Sequence, residues 1–261
     1  NTHEDGDHVW GNQLFTGAEI IAHRSVLERM PHVADPSETQ KLLAGADHFL
    51  PRLLLGAIHP GALAIARQLQ QDYDFSGISL AMPTTVFDER HMLDLDGTEV
   101  QLIYVGPCHQ VGDTLVYLPK ERVLFAGDVI FRECTPMGWT GSYEKWLKIL
   151  DLIIALDPEV IVPGHGPVCG LEGAMEMKAY LEYVREESSR FFQRGMSSLE
   201  AAKRIDLGPY SAWNAPARVY LNVERAYREF RHEREDKPWD AAKSFDQIYK
   251  VAKSRGLSLD F

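Results

Sequence analysis

The chain opens with Asn1-Thr2-His3-Glu4-Asp5-Gly6-Asp7-His8, eight residues that include two histidines and three carboxylates. Neutral imidazole and ionised carboxylate are the usual nitrogen and oxygen ligands of zinc and neighbouring metals. Burying so much charge without a cation would be costly. Taken alone, the stretch is equally well explained as a solvated polar terminus, because chain ends are often disordered.

Three later segments carry the same residue types beside glycines. Each follows an apolar run that we predict to be a strand, so each places its His or Asp at a strand end, and one strand is predicted to end on Asp128. Loops at strand ends are where binding and catalytic residues concentrate. The segments are Gly106-Pro107-Cys108-His109-Gln110-Val111-Gly112-Asp113, Phe125-Ala126-Gly127-Asp128 and Val162-Pro163-Gly164-His165-Gly166.

In this order, the four segments resemble the metallo-β-lactamase superfamily. That family has a His-x-His-x-Asp-His motif, then a lone His, a lone Asp and a final His, on an αββα sandwich that holds one or two metals. The resemblance extends from residue 1 to about residue 168. It implies an α/β fold of this sandwich type.

Position by position, the resemblance implies two divalent metal ions, with zinc as the first expectation. One ion would be held by His3, Asp5 and His109 and the other by Asp7, His8 and His165, with Asp128 bridging them. The family usually has His where this chain has Asp5. A carboxylate there could favour iron or manganese, weaken the first site or leave one metal only, and Asp5 could also be a non-ligand.

The family normally has several strands ahead of this motif, and none precedes it in this sequence. A sheet that lacks its neighbours has unpaired edges and an open core. We therefore expect an N-terminal segment, on this or another polypeptide, to complete the sandwich.

Composition limits the choice of partners and of compartment. The chain has 261 residues, of which 45% are hydrophobic and 25% charged, as is ordinary for a globular protein. Its net charge of −11 argues against a nucleic-acid partner, which would require clustered Lys and Arg. No apolar stretch reaches the roughly 20 residues of a membrane span. The three cysteines predict free thiols and a cytoplasmic location.

The order of predicted strands and helices divides the chain in two. We predict a metal-binding domain over residues 1–172, with a helical insertion at about 36–75. A helical extension over residues 173–261 is predicted to pack on the same domain. Family members often use helices here to shape the substrate pocket or a dimer contact, so a homodimer is left open.

The implied reaction is hydrolysis of an acyl bond in a small molecule by a hydroxide activated by metal. Asp7 is the candidate to orient the nucleophile or to relay its proton. A bridging Asp128 resembles the glyoxalase II and lactonase branches, which favours a thioester, ester or lactone. The apolar segment 49–58 and Trp139 suggest an apolar or aromatic acyl group, as in polyketide-type thioesterases or cyclases. The predicted substrate-binding residues are Trp10, Phe49 and Trp139.

Two other functions stay open at this point. Asp5 at the usual His position is compatible with a mononuclear iron, sulfur-oxidising dioxygenase of the same superfamily. The same departure, together with the absent strands, is compatible with a non-catalytic relic of a metal site. A serine hydrolase is disfavoured, because no Gly-x-Ser-x-Gly motif is present.

Overall fold

The computed structural model describes residues 1–47, 53 and 56–259. This part of the chain has the predicted α/β fold, with a five-stranded sheet and a helical C-terminal portion. No helix within it is both long enough and apolar enough to cross a membrane.

The five strands lie in the sheet in the order in which they occur along the chain. Neighbours are antiparallel except for the last pair, which is parallel. The strands are β3 (Arg90–Leu95), β4 (Thr98–Tyr104), β5 (Thr114–Leu118), β6 (Val123–Phe131) and β7 (Val160–His165). A separate parallel pair is formed by β1 (Ile21–His23) and β2 (Thr85–Phe87).

Helices pack against the sheet and make up most of the C-terminal portion. Before β7 these are α1 (Gly6–Val9), α2 (Arg24–Val33), α3 (Pro36–Asp47), α4 (Pro60–Asp72) and α5 (Tyr143–Leu156). After β7 follow α6 (Leu171–Gln193), α7 (Ser198–Arg204), α8 (Val219–Phe230) and α9 (Ala241–Arg255). Short 3₁₀ helices span Trp10–Leu14, Gly208–Ala212 and Pro216–Arg218.

The two faces of the five-stranded sheet differ in how well they are covered. Side chains alternate between the faces of a strand, and one set, which includes Leu115, Leu124 and Ile161, is fully buried in the main core. On the opposite face, Phe125 is 41% exposed and Val160 is 37% exposed. One face is therefore packed against helices, while the other is partly open in the described residues.

The C-terminal helices share the core of the sheet. The predicted boundary at 172/173 falls inside α6, and the division into two parts stays a prediction. The buried cluster that contains the strand residues above also contains Met177 and Leu181 of α6, Val219 and Val223 of α8, and Ile248 and Val251 of α9.

The described helices of the segment 36–75 dock on the C-terminal portion. His59 Nδ1 lies 2.7 Å from Asp246 Oδ2 of α9, and the Gly61 backbone N–H donates to Asp246 Oδ1 at 2.8 Å. A Cβ at Gly61 would lie 2.4 Å from the Phe245 carbonyl oxygen, so glycine permits this close approach.

Strand ends bring the predicted ligand segments to one edge of the sheet. His109 follows β4, and His165 is the last residue of β7. One expectation was wrong, since β6 does not end at Asp128 but continues to Phe131. The pairing with β7 shifts register at Gly127, whose φ is +51°, so the chain bends there without leaving the sheet.

Candidate metal centre

Asp128 lies at the centre of the predicted ligands. Its Oδ2 is 3.3 Å from His109 Nε2, 3.3 Å from His165 Nε2 and 4.0 Å from His3 Nε2. Its Oδ1 is 3.1 Å from His8 Nε2. Four segments that are distant in sequence therefore bring their side chains to one small volume.

The ligand atoms form three overlapping groups, and within each group they lie within 4.8 Å of one another. The two outer groups have the composition that the sequence implied for two metals. The middle group connects them through the histidines of the opening stretch and Asp128. The groups are His3, Asp5 and His109; His3, His8 and Asp128; and Asp7, His8 and His165.

Several buried atoms of the cluster have unmet bonding capacity. His3 Nε2, His8 Nε2 and Asp128 Oδ1 are buried, and none has a hydrogen-bond partner among the described residues. Leaving a buried polar atom unpaired costs about 1–3 kcal/mol, so such atoms call for a partner. Nitrogen and carboxylate oxygen atoms that converge in this way fit a divalent cation.

Burial and close charges shift the pKa values of the clustered side chains. Burial lowers the pKa of His3 to about 3. In His8, His109 and His165 burial also acts to lower the pKa, but contacts with Asp128 and a second carboxylate outweigh it. The pKa rises to about 10 for His8 and His109 and to about 9 for His165. Those contacts also hold the pKa of Asp128 well below its usual range, although burial would raise it.

Asp5 points into the first group. Its Oδ2 lies 3.0 Å from His109 Nε2, and its Oδ1 accepts a 2.6 Å hydrogen bond from Gln110 Nε2. His109 Nδ1 lies 2.8 Å from the Met137 carbonyl oxygen, which can only accept. The Met137 carbonyl therefore fixes a proton on His109 Nδ1, so that Nε2 is the ring nitrogen that faces Asp5 and Asp128.

Two buried carboxylates hold the ligand loops together, and sequence reasoning gave neither of them a role. Asp113 Oδ2 accepts from the backbone N–H groups of Cys108, His109 and Gln110 at 2.9, 2.7 and 3.0 Å. Glu4 accepts from Arg29 Nε at 2.7 Å and from the Gly112 N–H at 3.0 Å. Both stand inside the quoted segments, so a search for buried carboxylates beside ligands would have found them.

A cavity of about 1280 Å³ opens onto the predicted ligands Asp5, Asp7, His109, Asp128 and His165. Its walls include several aromatic residues. Trp10 and Trp139 line it, as their predicted role requires, whereas Phe49 lies outside the described residues. The other Phe, Tyr and Trp residues that line the cavity are Tyr73, Phe75, Phe131, Trp239 and Phe245.

A family model described as "Metallo-beta-lactamase superfamily" matches residues 1–165. The chain belongs to this superfamily. A linear primary-alkylsulfatase from Pseudomonas sp. (strain ATCC 19151) is 25% identical over 250 residues, which cover 87% of this chain and 46% of that protein. A metallo-beta-lactamase type 2 from Bacteroides fragilis is 30% identical over 116 residues, which cover 42% of this chain and 47% of that protein.

The chain spans less than half the length of these two superfamily members, at 46% and 47%. The alkylsulfatase match extends into the C-terminal helices, because it covers 87% of the chain. Among solved structures, a double mutant of the sec-alkyl sulfatase PisA1 is similar in fold, with a TM-score of 0.59 at 15% identity, covering 91% of this chain and 41% of that one.

Proposed function

We propose that the protein is a metal-dependent hydrolase that cleaves a small ester with an apolar alkyl or aryl part, using two divalent metal ions. The observation that carries this proposal is the pair of ligand groups on either side of Asp128, facing a cavity with aromatic walls. Membership in the superfamily supports it, as do relatives named for sulfate-ester and β-lactam chemistry.

In this proposal His3, Asp5 and His109 hold one ion, and Asp7, His8 and His165 hold the other, with Asp128 between them. The donor set of imidazoles and carboxylates suits zinc first, and the carboxylate of Asp5 makes manganese or iron compatible as well. Divalent ions at such a site would supply Lewis acidity and would lower the pKa of water, so that hydroxide is available as a nucleophile at neutral pH.

Asp7 is the proposed catalytic residue. Its side chain is 56% exposed and lines the cavity, while Oδ2 lies 3.2 Å from His8 Nε2 and 3.3 Å from His165 Nε2. Burial opposes ionisation, but close contacts with the His165 and His8 imidazoles lower the pKa of Asp7, so it is a carboxylate at neutral pH. It can therefore accept a hydrogen bond from an attacking water and take up its proton.

Two ester classes are candidates. A thioester, carboxylic ester or lactone is the first, because a carboxylate between two metal groups resembles the glyoxalase II and lactonase branches. An alkyl sulfate ester is the second, favoured by the alkylsulfatase match that covers 87% of the chain. The aromatic walls of the cavity suit the apolar part of either substrate.

The test begins with purified protein loaded with zinc, manganese or iron(II), with metal content measured. It is assayed against p-nitrophenyl butyrate, an octanoyl thioester, a decanolactone, octyl sulfate and a chromogenic β-lactam. We expect hydrolysis of at least one ester class. Asp7→Asn should lower the rate by about 10²-fold or more, the scale expected when proton transfer is lost.

The matched control for this variant is Asp72→Asn, an exposed carboxylate at the end of α4, which should behave as wild type. Metal-loaded protein that cleaves none of the five compounds would overturn the proposal. Iron-dependent oxygen uptake with a persulfide would replace it with the dioxygenase alternative.

A further inference from the structure

Arg225 of α8 reaches from the C-terminal helices to the loops around the candidate metal centre. The residue is 4% exposed, and its Nη1 donates to the Cys108 carbonyl oxygen at 2.9 Å and to the Gly141 carbonyl oxygen at 3.3 Å. It lies beyond residue 165, where the family-model match ends. The buried guanidinium therefore connects two loops through their backbone carbonyl groups.

Both carbonyls belong to loops that orient His109. The Cys108 carbonyl is part of the peptide group whose nitrogen belongs to His109. Gly141 ends the loop in which the Met137 carbonyl receives the His109 Nδ1 hydrogen bond at 2.8 Å. In that loop the Trp139 N–H also donates to the His109 carbonyl oxygen at 2.9 Å. Arg225 thus joins the loop that carries the imidazole to the loop that fixes its tautomer.

The Arg225 guanidinium is closely packed by Gly138 and Trp146. A Cβ on Gly138 would lie 2.4 Å from Arg225 Nη2, so any larger residue there would collide with it. On another side, the guanidinium carbon lies 5.1 Å from the ring centroid of Trp146, a cation–π contact. The Trp146 indole in turn donates to the Val129 carbonyl oxygen at 2.9 Å, next to Asp128.

We infer that Arg225 is a positioning residue for the metal ligand His109, so that the C-terminal helices complete the first ligand group. The inference rests on the proposed metal-dependent function. Groups that orient a metal ligand without touching the metal typically change metal affinity by 10–100-fold when removed. Arg225 acts on the backbone and on the hydrogen-bond acceptor of the ligand, and its loss should therefore weaken one metal and spare the other.

The experiment titrates metal-free protein with cobalt(II), following visible absorption and chelator competition to obtain two separate affinities. Arg225→Met should weaken one binding event by about tenfold or more and change the cobalt spectrum, with the other event unchanged within threefold. Arg225→Lys should restore part of the affinity, because an ammonium can still donate to one carbonyl. Arg255→Met is the matched control, since Arg255 donates to the Ala202 carbonyl oxygen far from these loops.

If Arg225→Met does not fold, Gly138→Ala serves instead, because it displaces the guanidinium without removing its charge. The same selective loss is expected. This inference alone would be overturned if wild type binds two cobalt ions and a folded Arg225→Met variant has the same two affinities and the same spectrum. Wild type that binds no cobalt would overturn the proposed function as well.

Discussion

Asp128 Oδ1 lies 3.1 Å from His8 Nε2, yet both atoms are buried and neither takes part in a hydrogen bond among the described residues. Two groups that could pair are thus close but not aligned with each other. Their geometry favours a third partner, and a divalent cation between the ligand groups would provide it. Metal binding should therefore be coupled to folding.

Removal of metal should lower the thermal stability. A ligand that binds only the folded state, present at 100 times its dissociation constant, contributes about 2.7 kcal/mol. We expect zinc to raise the melting temperature of chelator-treated protein, as measured by calorimetry. In Asp128→Asn the response to zinc should shrink. An equal melting temperature with and without zinc would contradict a bound ion in the cluster.

Metal uptake should release protons near neutral pH. The contacts with carboxylates raise the pKa of His8 and His109 to about 10, against the opposing effect of burial, so without metal both imidazoles are protonated at pH 8. Metal ligation requires the neutral imidazole, so these protons leave on binding. Calorimetric titration with zinc in two buffers of different ionisation enthalpy should show the release, and zinc affinity should rise with pH.

The same pKa shifts predict how the stability of metal-free protein depends on pH. A raised folded-state pKa contributes stability that is complete below the ordinary histidine value of about 6.5. This contribution is lost as the pH rises through the folded values of about 10 for His8 and His109. Chemical denaturation between pH 6.5 and 10.5 should show metal-free protein weakening relative to zinc-loaded protein. A constant difference would contradict the ion pairs.

The candidate ligands that the structure brings together could be selected from the sequence because their signals are local. A dense run of His and Asp, and single His or Asp residues beside glycines at strand ends, can be recognised without knowing the fold. The roles of Gln110 and Arg225 could not be predicted in this way. Gln110 bonds Asp5 across 105 positions, and Arg225 bonds Cys108 across 117 positions. No periodicity or short motif encodes a pairing over such a separation.

The end of β6 shows a second limit. The apolar run before Asp128 is predicted to be a strand that ends on that residue, and Gly127, a residue type common in turns, precedes it. In the structure Gly127 has a positive φ, but the chain continues to Phe131, whose neighbour Arg132 donates its backbone N–H to the His165 carbonyl oxygen at 2.9 Å. A glycine bend inside a strand and one that ends a strand look alike in sequence, and only the pairing with β7 distinguishes them.

Asp5→His should change the metal preference of the first ligand group. The variant restores the residue usual in the superfamily and replaces a hard oxygen ligand with imidazole, which favours zinc over manganese. It also removes the acceptor of the Gln110 side chain. We expect the ratio of zinc to manganese affinity to rise, as measured by competition titration. Asp94→His, on β3 away from the cluster, is the control, and an unchanged ratio would indicate that Asp5 is not a ligand.

Trp239 should determine how well long apolar substrates bind. It lines the cavity, and its ring centroid lies 5.9 Å from that of Trp139. The Arg228 guanidinium carbon lies 3.9 Å from the ring centroid of Trp239. These contacts hold Trp239 of the C-terminal portion against Trp139 of the metal-binding part. Each methylene buried against these rings contributes about 0.8 kcal/mol to binding, which corresponds to roughly fourfold in affinity.

Trp239→Ala should therefore raise KM for octanoyl esters more than for acetyl esters and leave kcat nearly unchanged, because Trp239 belongs to none of the candidate ligand groups. The measurement is kcat/KM across a series of p-nitrophenyl esters of increasing chain length. Its slope per methylene should fall in the variant and be retained in Phe15→Ala, an aromatic residue that is 66% exposed and does not line the cavity. A uniform loss across the series would instead indicate that Trp239 supports the fold rather than the apolar part of the substrate.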